Sequence, residues 1–205
     1  MKNIFTILLL SLLVLPVFAQ GDDEYPVEGI FETSILIDNQ TITTPYKGMI
    51  EFQIHHRFGM LTDGPENLFG IYSTANVRLG LNYAITNRLM VGVGTTRGYK
   101  LQDFQAKYVI LQQSQSGKMP VSVAFYGNAA IDARTKDNFG PEASYRSIHR
   151  LSYFSQLIVA RKFSESLSFQ VAPTFIYFNS VERGYSSLNF GICKEDGLWS
   201  VWDIQ

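Results

Sequence analysis

The sequence lacks the features that mark several common protein classes. Cys193 is the only cysteine, which excludes an intrachain disulfide. Lys and Arg number 17 against 18 Asp and Glu, so no excess of charge points to nucleic acid or to another strongly charged partner. After residue 19 no apolar run approaches the roughly 20 residues of a transmembrane helix. These absences exclude a disulfide-stapled domain and a helical membrane protein.

The first residues have the three-part pattern of a secretory signal peptide. Lys2 gives a positive start, the stretch from Ile4 to Phe18 is almost wholly apolar, and Val17-Phe18-Ala19 suits a signal peptidase. A retained membrane anchor is the alternative, but about 15 apolar residues are too few to span a bilayer as a helix. We therefore expect a cleaved signal peptide over residues 1–19, followed by an acidic N-terminal tail over residues 20–29.

From Ile30 onward, apolar and polar residues alternate with a period of two, as in β-strands whose two faces differ. Several runs reach roughly 13 to 16 residues, which is longer than strands of soluble sheets usually are. Short turns and longer polar loops alternate between the runs, as in outer-membrane barrels with their short turns in the periplasm. The pattern predicts nine strands, over residues 30–38, 47–58, 68–85, 88–97, 100–113, 119–132, 148–163, 166–179 and 185–193.

The period alone leaves the orientation of the two faces open. The apolar face either meets lipid around a polar lumen or turns inward in a soluble barrel. We assign it outward, so residues 30–193 are expected to form an all-β, antiparallel, up-and-down transmembrane β-barrel. Pro173 lies in mid-strand and predicts a bulge, because it cannot donate to the ladder. The candidate lumen-facing charges are then Glu51, Arg57, Arg78, Asp103, Lys107, Asp132, Arg150 and Lys162. They either form a ring that filters solutes or a network that fills a narrow lumen.

Motifs for catalysis or cofactor binding are weak. His55 and His56 point to opposite faces of a strand, so they cannot share a metal. His56, His149 and Asp132 lie near the predicted outer rim, where a His–Asp pair could activate water, but the histidines and Asp132 fall on different faces. Gly92-Val93-Gly94 lies within a strand and precedes no helix, which excludes a dinucleotide site. We expect no catalysis, no metal and no cofactor.

Short sequence pieces in a fixed order carry a resemblance to a known family. They are His56-Arg57-Phe58-Gly59, Leu68-Phe69-Gly70, Gly80-Leu81-Asn82-Tyr83, Ile85-Thr86-Asn87-Arg88-Leu89, Lys107-Tyr108 with Leu111-Gln112-Gln113, and Gln156 to Ser164 followed by Ala172-Pro173-Thr174. In this order and spacing, the chain from roughly Phe31 to Ile192 resembles the membrane β-barrel proteins of Bacteroidota that share a domain of unknown function. The resemblance implies an outer-membrane barrel. It implies no established activity and carries over no functional residues.

The C-terminal segment departs from that resemblance. Alternation fails after Ile192, and the chain ends in Gln205, whereas outer-membrane barrels usually close on an aromatic residue. Nine strands is also an odd number, and bacterial single-chain barrels have even numbers. We hypothesise that residues 194–205 are an irregular segment that results from a truncated or frame-shifted coding sequence. The barrel would then be incomplete. The same stop codon in independent isolates would refute this hypothesis.

The combined expectation is an exported outer-membrane barrel with a structural or solute-passage role rather than a catalytic one. Its expected partners are outer-membrane lipids and the barrel-assembly machinery, with no nucleic acid. The alternatives are a hydrolase at the barrel rim and a soluble secreted β-barrel that binds an apolar ligand. Fractionation tests the soluble alternative, and loss of a hydrolytic activity in His56→Ala or His149→Ala would reveal the hydrolase.

Overall fold

One antiparallel sheet of nine strands forms the body of the protein. The computed structural model describes residues 25–139, 145–180, 188–193 and 199–202, with side chains described up to residue 180. Each strand of the large sheet pairs only with its neighbours in sequence, which is an up-and-down meander. The strands are β1 (Ile35–Leu36), β2 (Asn39–Gln40), β3 (Ile50–Arg57), β4 (Asn76–Ala84), β5 (Leu89–Thr96), β6 (Leu101–Leu111), β7 (Ser122–Asp132), β8 (Leu151–Ser164), β9 (Leu167–Phe178), β10 (Leu188–Cys193) and β11 (Trp199–Trp202).

The helical content of the described residues is limited to short 3-10 turns in the loops, at Leu61–Asp63, Pro65–Asn67, Gly98–Lys100, Lys136–Phe139 and Ser147–Arg150. Within the described part of the chain, no helix is both long and apolar enough to pass through a membrane.

The loops at the two ends of the sheet differ in length with two exceptions, since residues 112–121 join β6 to β7 at the end that otherwise has short turns and residues 97–100 join β5 to β6 at the end that otherwise has long loops. At one end, the short-turn end, residues 85–88 join β4 to β5 and residues 165–166 join β8 to β9. At the other, the long-loop end, residues 58–75 join β3 to β4 and residues 133–150 join β7 to β8. The Thr86 hydroxyl oxygen helps to form one tight turn, because it accepts hydrogen bonds from the backbone N–H groups of Arg88 and Leu89.

The two faces of the sheet have the opposite polarity to that of a soluble protein. On the outer face, Phe52, Leu81 and Phe104 are 62%, 46% and 55% exposed. On the inner face, Asn82 and Lys107 are fully buried. The outward assignment of the apolar set is therefore confirmed. The exposed apolar side chains of the strands include Ile50, Phe52, Ile54, Leu79, Leu81, Tyr83, Val93, Phe104, Tyr108, Phe125, Tyr153, Leu157, Phe163, Leu167, Phe169 and Val171.

The first predicted strand, over residues 30–38, is wrong. β1 and β2 form a separate two-stranded sheet, in which Ile35 pairs with Gln40 and Leu36 with Asn39. The chain reverses at Ile37, whose φ of 57° lies in the left-handed region that few residues other than glycine adopt. Residues 31–43, called the inner hairpin below, therefore fold back on themselves and do not add a strand to the large sheet.

The predicted strand over residues 68–85 is too long. Its first part is a set of turns, because Leu68 and Phe69 have φ values of 47° and 53°, which a β-strand cannot accommodate. Hydrogen bonds from Gly59 N to Gly70 O and from Gly70 N to Asn67 O close this part of the loop. The strand itself begins at Asn76.

Pro173 causes no bulge, so that prediction is wrong. The β8–β9 register is the same before and after it, with Gln156 opposite Thr174 and Val159 opposite Val171. The register shifts instead between Lys162 and Ser164. The sheet accommodates Pro173 without the extra residue that a bulge requires.

The C-terminal strands complete the described sheet. β11 pairs with β10, with Phe190 opposite Trp202, and this strand lies within the segment that the sequence analysis expected to be irregular. The edges of the sheet are β3 and β11, and in the described residues no pairing joins one edge to the other.

Candidate functional site: the inner face and the inner hairpin

The inner hairpin lies against the inner face of the large sheet. Its Ser34 hydroxyl donates to Glu51 of β3, and its Asn39 side chain accepts from Gln156 of β8. One short segment thus contacts strands near opposite sides of the sheet, so the sheet curls around the hairpin. We call the space on this inner, concave side of the sheet the lumen.

Two glycines of β5 make room for polar side chains from the neighbouring strands. Gly94 lies opposite Asp103 of β6, and a Cβ there would come within 2.4 Å of both Arg78 Nη2 and Asp103 Oδ2. Gly92 lies between Asn82 and Gln105, and a Cβ there would come within 2.0 Å of Asn82 Oδ1. Side chains of β4 and β6 therefore meet across β5, over the space that these glycines leave.

The first of these contacts is an ion pair. Arg78 donates from Nε to Asp103 Oδ2 at 3.0 Å and from Nη2 to Asp103 Oδ1 at 2.5 Å. Both side chains are largely buried, and Asn128 of β7 adds a hydrogen bond of 3.0 Å to Asp103 Oδ1. The bidentate geometry is the strong form of an Arg–carboxylate contact. Two predicted lumen charges are thus paired with each other.

The second contact belongs to a chain of polar side chains that spans five strands or segments. Asn82 donates to Glu51 at 2.8 Å, and Gln105 donates to Asn82. The Tyr126 hydroxyl of β7 donates to Gln105 at 2.6 Å. At the other end of the chain, Ser34 of the inner hairpin donates to Glu51 at 2.6 Å. Glu51 thus accepts from several donors, which replace the water that a partly buried carboxylate loses.

Lys107 binds the inner hairpin. Its Nζ donates to Ser34 O, Gln40 Oε1 and Thr41 O at 3.3, 3.2 and 3.1 Å, and the residue is fully buried. An ammonium group has three donors, and here all three have oxygen partners on the hairpin. Lys107 therefore couples the wall of the lumen to the segment inside it.

Amides of β9 and β8 hold the other side of the hairpin. Gln170 accepts from Ile42 N at 3.1 Å and donates to Gln40 O at 2.8 Å, so one side chain pairs with both kinds of backbone group. Gln156 donates to Asn39 Oδ1 at 2.7 Å and to Thr174 Oγ1 at 3.0 Å. Together with Lys107 and Glu51, these amides fix the hairpin from several directions.

Apolar side chains seal the lumen toward the short-turn end. Ile30 directly precedes the hairpin and Ile42 lies within it, and the two are 8% and 5% exposed. They pack with small and branched residues of the wall, and Val27, Phe31 and Phe154 pack around them. The wall residues of this cluster are Val109, Ala124, Tyr126, Ile158, Ala160 and Ala172. A polar lumen thus ends in a compact apolar layer.

The remaining predicted charges lie toward the ends of the strands. Arg57 forms an exposed ion pair of 2.9 Å with Asp38 at the turn of the inner hairpin. Lys162 contacts Glu28 O at 3.3 Å and Glu165 at 2.8 Å near the short-turn end. All the predicted lumen charges thus have described polar partners, but the structure distributes them over several clusters and not in one ring.

Asp132 and Arg150 belong to a cluster at the long-loop end. Arg134 forms a bidentate pair with Asp132, with Nη2 and Oδ2 2.6 Å apart. Arg150 donates to the backbone oxygens of Asp132 and Arg134 and to the Tyr145 hydroxyl. This last hydrogen bond lowers the pKa of the Tyr145 phenol below its ordinary value. The cluster thus joins the residues that follow β7 to those that precede β8.

The comparison with known families decides the membership of the chain. Residues 31–193 match the profile of the family described as "Membrane bound beta barrel domain (DUF5777)". The chain belongs to this family. No curated protein and no solved structure matches the chain. The family is described as membrane-bound, which agrees with the apolar outer face.

The match to the membrane-bound β-barrel domain family begins at Phe31, so it includes the inner hairpin. Sequence reasoning missed the hairpin, because residues 30–38 alternate in polarity like a wall strand. One signal lay in the sequence: Asp38-Asn39 is a pair of turn-forming residues at the centre of the segment.

The histidines of this family member do not form the rim dyad considered above. In the described part of the chain, Asp132 is bonded to Arg134, while His149 Nδ1 accepts from Arg146 N at 3.3 Å. His56 packs its ring against Phe58, with ring centroids 4.5 Å apart. Among the residues that the structure describes, no group of three or more His, Cys, Asp or Glu side chains could hold a metal ion.

Proposed function

We propose that the protein is a bacterial outer-membrane β-barrel with a structural or solute-passage role and no catalytic one, and that its lumen is closed in the described state. The observation that carries the proposal is the inverted polarity of the sheet. Phe52 and Phe104 are exposed, whereas Asn82, Lys107 and Gln156 are buried. Water would penalise such an outer face, whereas acyl chains would solvate it.

The outer membrane is the proposed location because membrane barrels with short turns on one side and long loops on the other are built there in Gram-negative bacteria. The N-terminal signal pattern supports export to that membrane. The partners that follow are outer-membrane lipids around the apolar face and the machinery that inserts barrels. A groove of about 450 Å³ on the outer side, next to Leu81, Val93 and Phe104, suits an acyl chain.

A closed lumen follows from the hydrogen bonds of the inner face. Glu51, Lys107 and the Arg78–Asp103 pair are bonded to neighbouring side chains or to the inner hairpin. Their partners occupy the space that a permanent pore would leave to water. The rim hydrolase is not favoured, since Asp132 is paired with Arg134. A soluble barrel for apolar ligands would need an apolar lumen, whereas this lumen is mostly polar.

Expression of the full chain in a Gram-negative host tests the proposal. After separation of the membranes by density, we expect the protein in the outer-membrane fraction. An unboiled sample should migrate faster in gel electrophoresis than a boiled one, because a folded barrel resists the detergent. Recovery of a folded, detergent-free protein from the periplasmic extract would contradict the proposal.

A further inference from the structure

Both ends of the inner hairpin lie at the same end of the lumen. Before the hairpin, Val27 N donates to Gln113 O at 2.7 Å, beside the bridge between Pro26 and Ser114. After it, Lys47 N donates to Asn87 Oδ1 at 2.8 Å. Gln113, Ser114 and Asn87 all belong to connections at the short-turn end.

The turn of the hairpin reaches toward the opposite end. Asp38, at this turn, pairs with Arg57, the last residue of β3 at the long-loop end. The hairpin thus enters the lumen from the short-turn end, reverses near the long loops and returns. A segment inserted in this way can leave through the same opening without threading its chain through the barrel.

The wall behind the hairpin has the chemistry of a surface that faces water. It offers Lys107, Glu51, Gln156 and Gln170, and each of these contacts the hairpin through a hydrogen bond. Two buried wall atoms, Gln53 Oε1 and Gln156 Oε1, have no hydrogen-bond partner among the described residues. Water in an emptied lumen would satisfy all these groups, so departure of the hairpin would not leave buried charges unsolvated.

We propose that residues 31–43 are a removable plug, and that their withdrawal toward the short-turn end opens a water-filled passage for small hydrophilic solutes. The proposal rests on the membrane location given under "Proposed function". The exposed wall would carry Lys107 and Glu51 together with several amides, so a marked preference for one sign of charge is not expected. Neutral hydroxylated solutes fit such a lining best, since amides and charged groups can exchange hydrogen bonds with hydroxyls.

The packing of Ile30 and Ile42 in the apolar layer favours the inserted state. Passage therefore requires the loss of this packing as well as of the hydrogen bonds. The resting protein is closed, and withdrawal of the plug is a minor excursion.

A cross-linking experiment in liposomes tests the plug. In the Cys193→Ser background, Asn39→Cys with Gln156→Cys allows a short bis-methanethiosulfonate reagent, which forms a disulfide with each thiol and releases methanesulfinate, to join the hairpin to the wall. The matched control is Leu36→Cys with Asn39→Cys, which cross-links the hairpin to itself, since these residues are paired between β1 and β2. Swelling of the liposomes in the neutral pentose arabinose reports passage.

We expect the hairpin-to-wall cross-link to slow arabinose-driven swelling about tenfold or more relative to the same variant without reagent. The cross-link within the hairpin should leave the swelling rate unchanged. Equal swelling with and without the hairpin-to-wall cross-link would overturn the proposal. Each sample is also tested for heat-dependent migration in gel electrophoresis. A sample without this migration has formed no barrel, which contradicts the proposed function. A sample that shows it but swells at the same rate with and without the cross-link contradicts only the plug.

A variant that needs no introduced cysteine provides a second test. Gln170→Leu removes two hydrogen bonds to the hairpin and should raise the swelling rate roughly tenfold, since each neutral hydrogen bond contributes modestly. The control is Gln102→Leu, which removes a hydrogen bond to Thr95 on the exposed side of the sheet. Equal swelling rates for the two folded variants would count against a removable plug.

Discussion

At two positions of the inner face, a residue without a side chain leaves room for larger side chains of the neighbouring strands. Gly92 and Gly94 sit in the middle of β5, where a strand would ordinarily carry larger residues. Their missing side chains allow Arg78 to reach Asp103 and Gln105 to reach Asn82. The glycines therefore lower the strand propensity of β5 but allow two polar contacts between β4 and β6 across it.

Substitution of Gly94 tests this interpretation. Gly94→Ala should lower the free energy of unfolding by about 1–3 kcal/mol, because the new Cβ lies 2.4 Å from Arg78 Nη2 and Asp103 Oδ2. The measurement is equilibrium unfolding in urea in the presence of lipid vesicles. Gly127→Ala in β7 is the control, since its Cβ would meet Phe125 at an ordinary 3.5 Å. A loss of stability as large in Gly127→Ala would refute the argument from space.

Burial distinguishes the Arg78–Asp103 pair from the Arg57–Asp38 pair. Arg78 and Asp103 side chains are 14% and 6% exposed, whereas Arg57 and Asp38 are 54% and 36% exposed. Arg78→Ala leaves Asp103 as a buried charge and should cost about 3–5 kcal/mol of stability. Arg57→Ala should cost at most about 1 kcal/mol, because solvent already screens that pair. Similar costs for the two variants in urea unfolding would contradict the described burial.

At the scale of strands, the exposed apolar face leads to a test that separates a membrane barrel from a soluble sheet. Phe104 lies within β6 and Leu167 at the start of β9, and the two are 55% and 59% exposed. Phe104→Arg should destabilise the barrel by about 2–4 kcal/mol, whereas Leu167→Arg, near the bilayer interface, should cost about 0–1 kcal/mol. Unfolding from lipid vesicles measures both. In a soluble protein, neither exposed substitution would cost much, so two small effects would exclude lipid contact at Phe104.

The strands were the part of the fold that sequence could predict. Eight predicted strands, from the one at residues 47–58 to the one at 185–193, overlap β3–β10, because a half-buried strand imposes a period of two. Where the pattern misled, a local conformation decided the outcome. Leu68, Phe69 and Ile37 adopt left-handed backbone angles that no polarity pattern reveals.

The inner hairpin was unpredictable for a different reason. In a barrel with a polar lumen, a segment inside needs polar groups that match the wall and apolar groups that match the base of the lumen. Such a segment alternates much as a wall strand does, so Ser34 and Gln40 read as lumen-facing positions. Glu51 and Lys107 lie on the inner face of the sheet, and their hairpin partners depend on contacts distant in sequence.

For the whole molecule, the sheet and the hairpin depend on each other. The hairpin contacts β3 through Glu51, β6 through Lys107 and β9 through Gln170, so it braces distant parts of a curled sheet. The strands of the hairpin have only two residues each, so the hairpin can form few hydrogen bonds within itself. The wall supplies the other donors and acceptors. The account thus depends on one property of the sheet, an apolar outer face that suits lipid and a polar inner face that suits the hairpin.

The most direct measurement of that arrangement uses single spin labels on the sheet in liposomes. Labels at Leu81, Phe104 and Leu157 should be more accessible to oxygen, which concentrates in acyl chains, than to a water-soluble nickel chelate. A label at the exposed turn residue Lys118 should show the reverse preference. If the three strand labels instead favoured the nickel chelate, the apolar face would be in water, and the account of a lipid-facing barrel would be wrong.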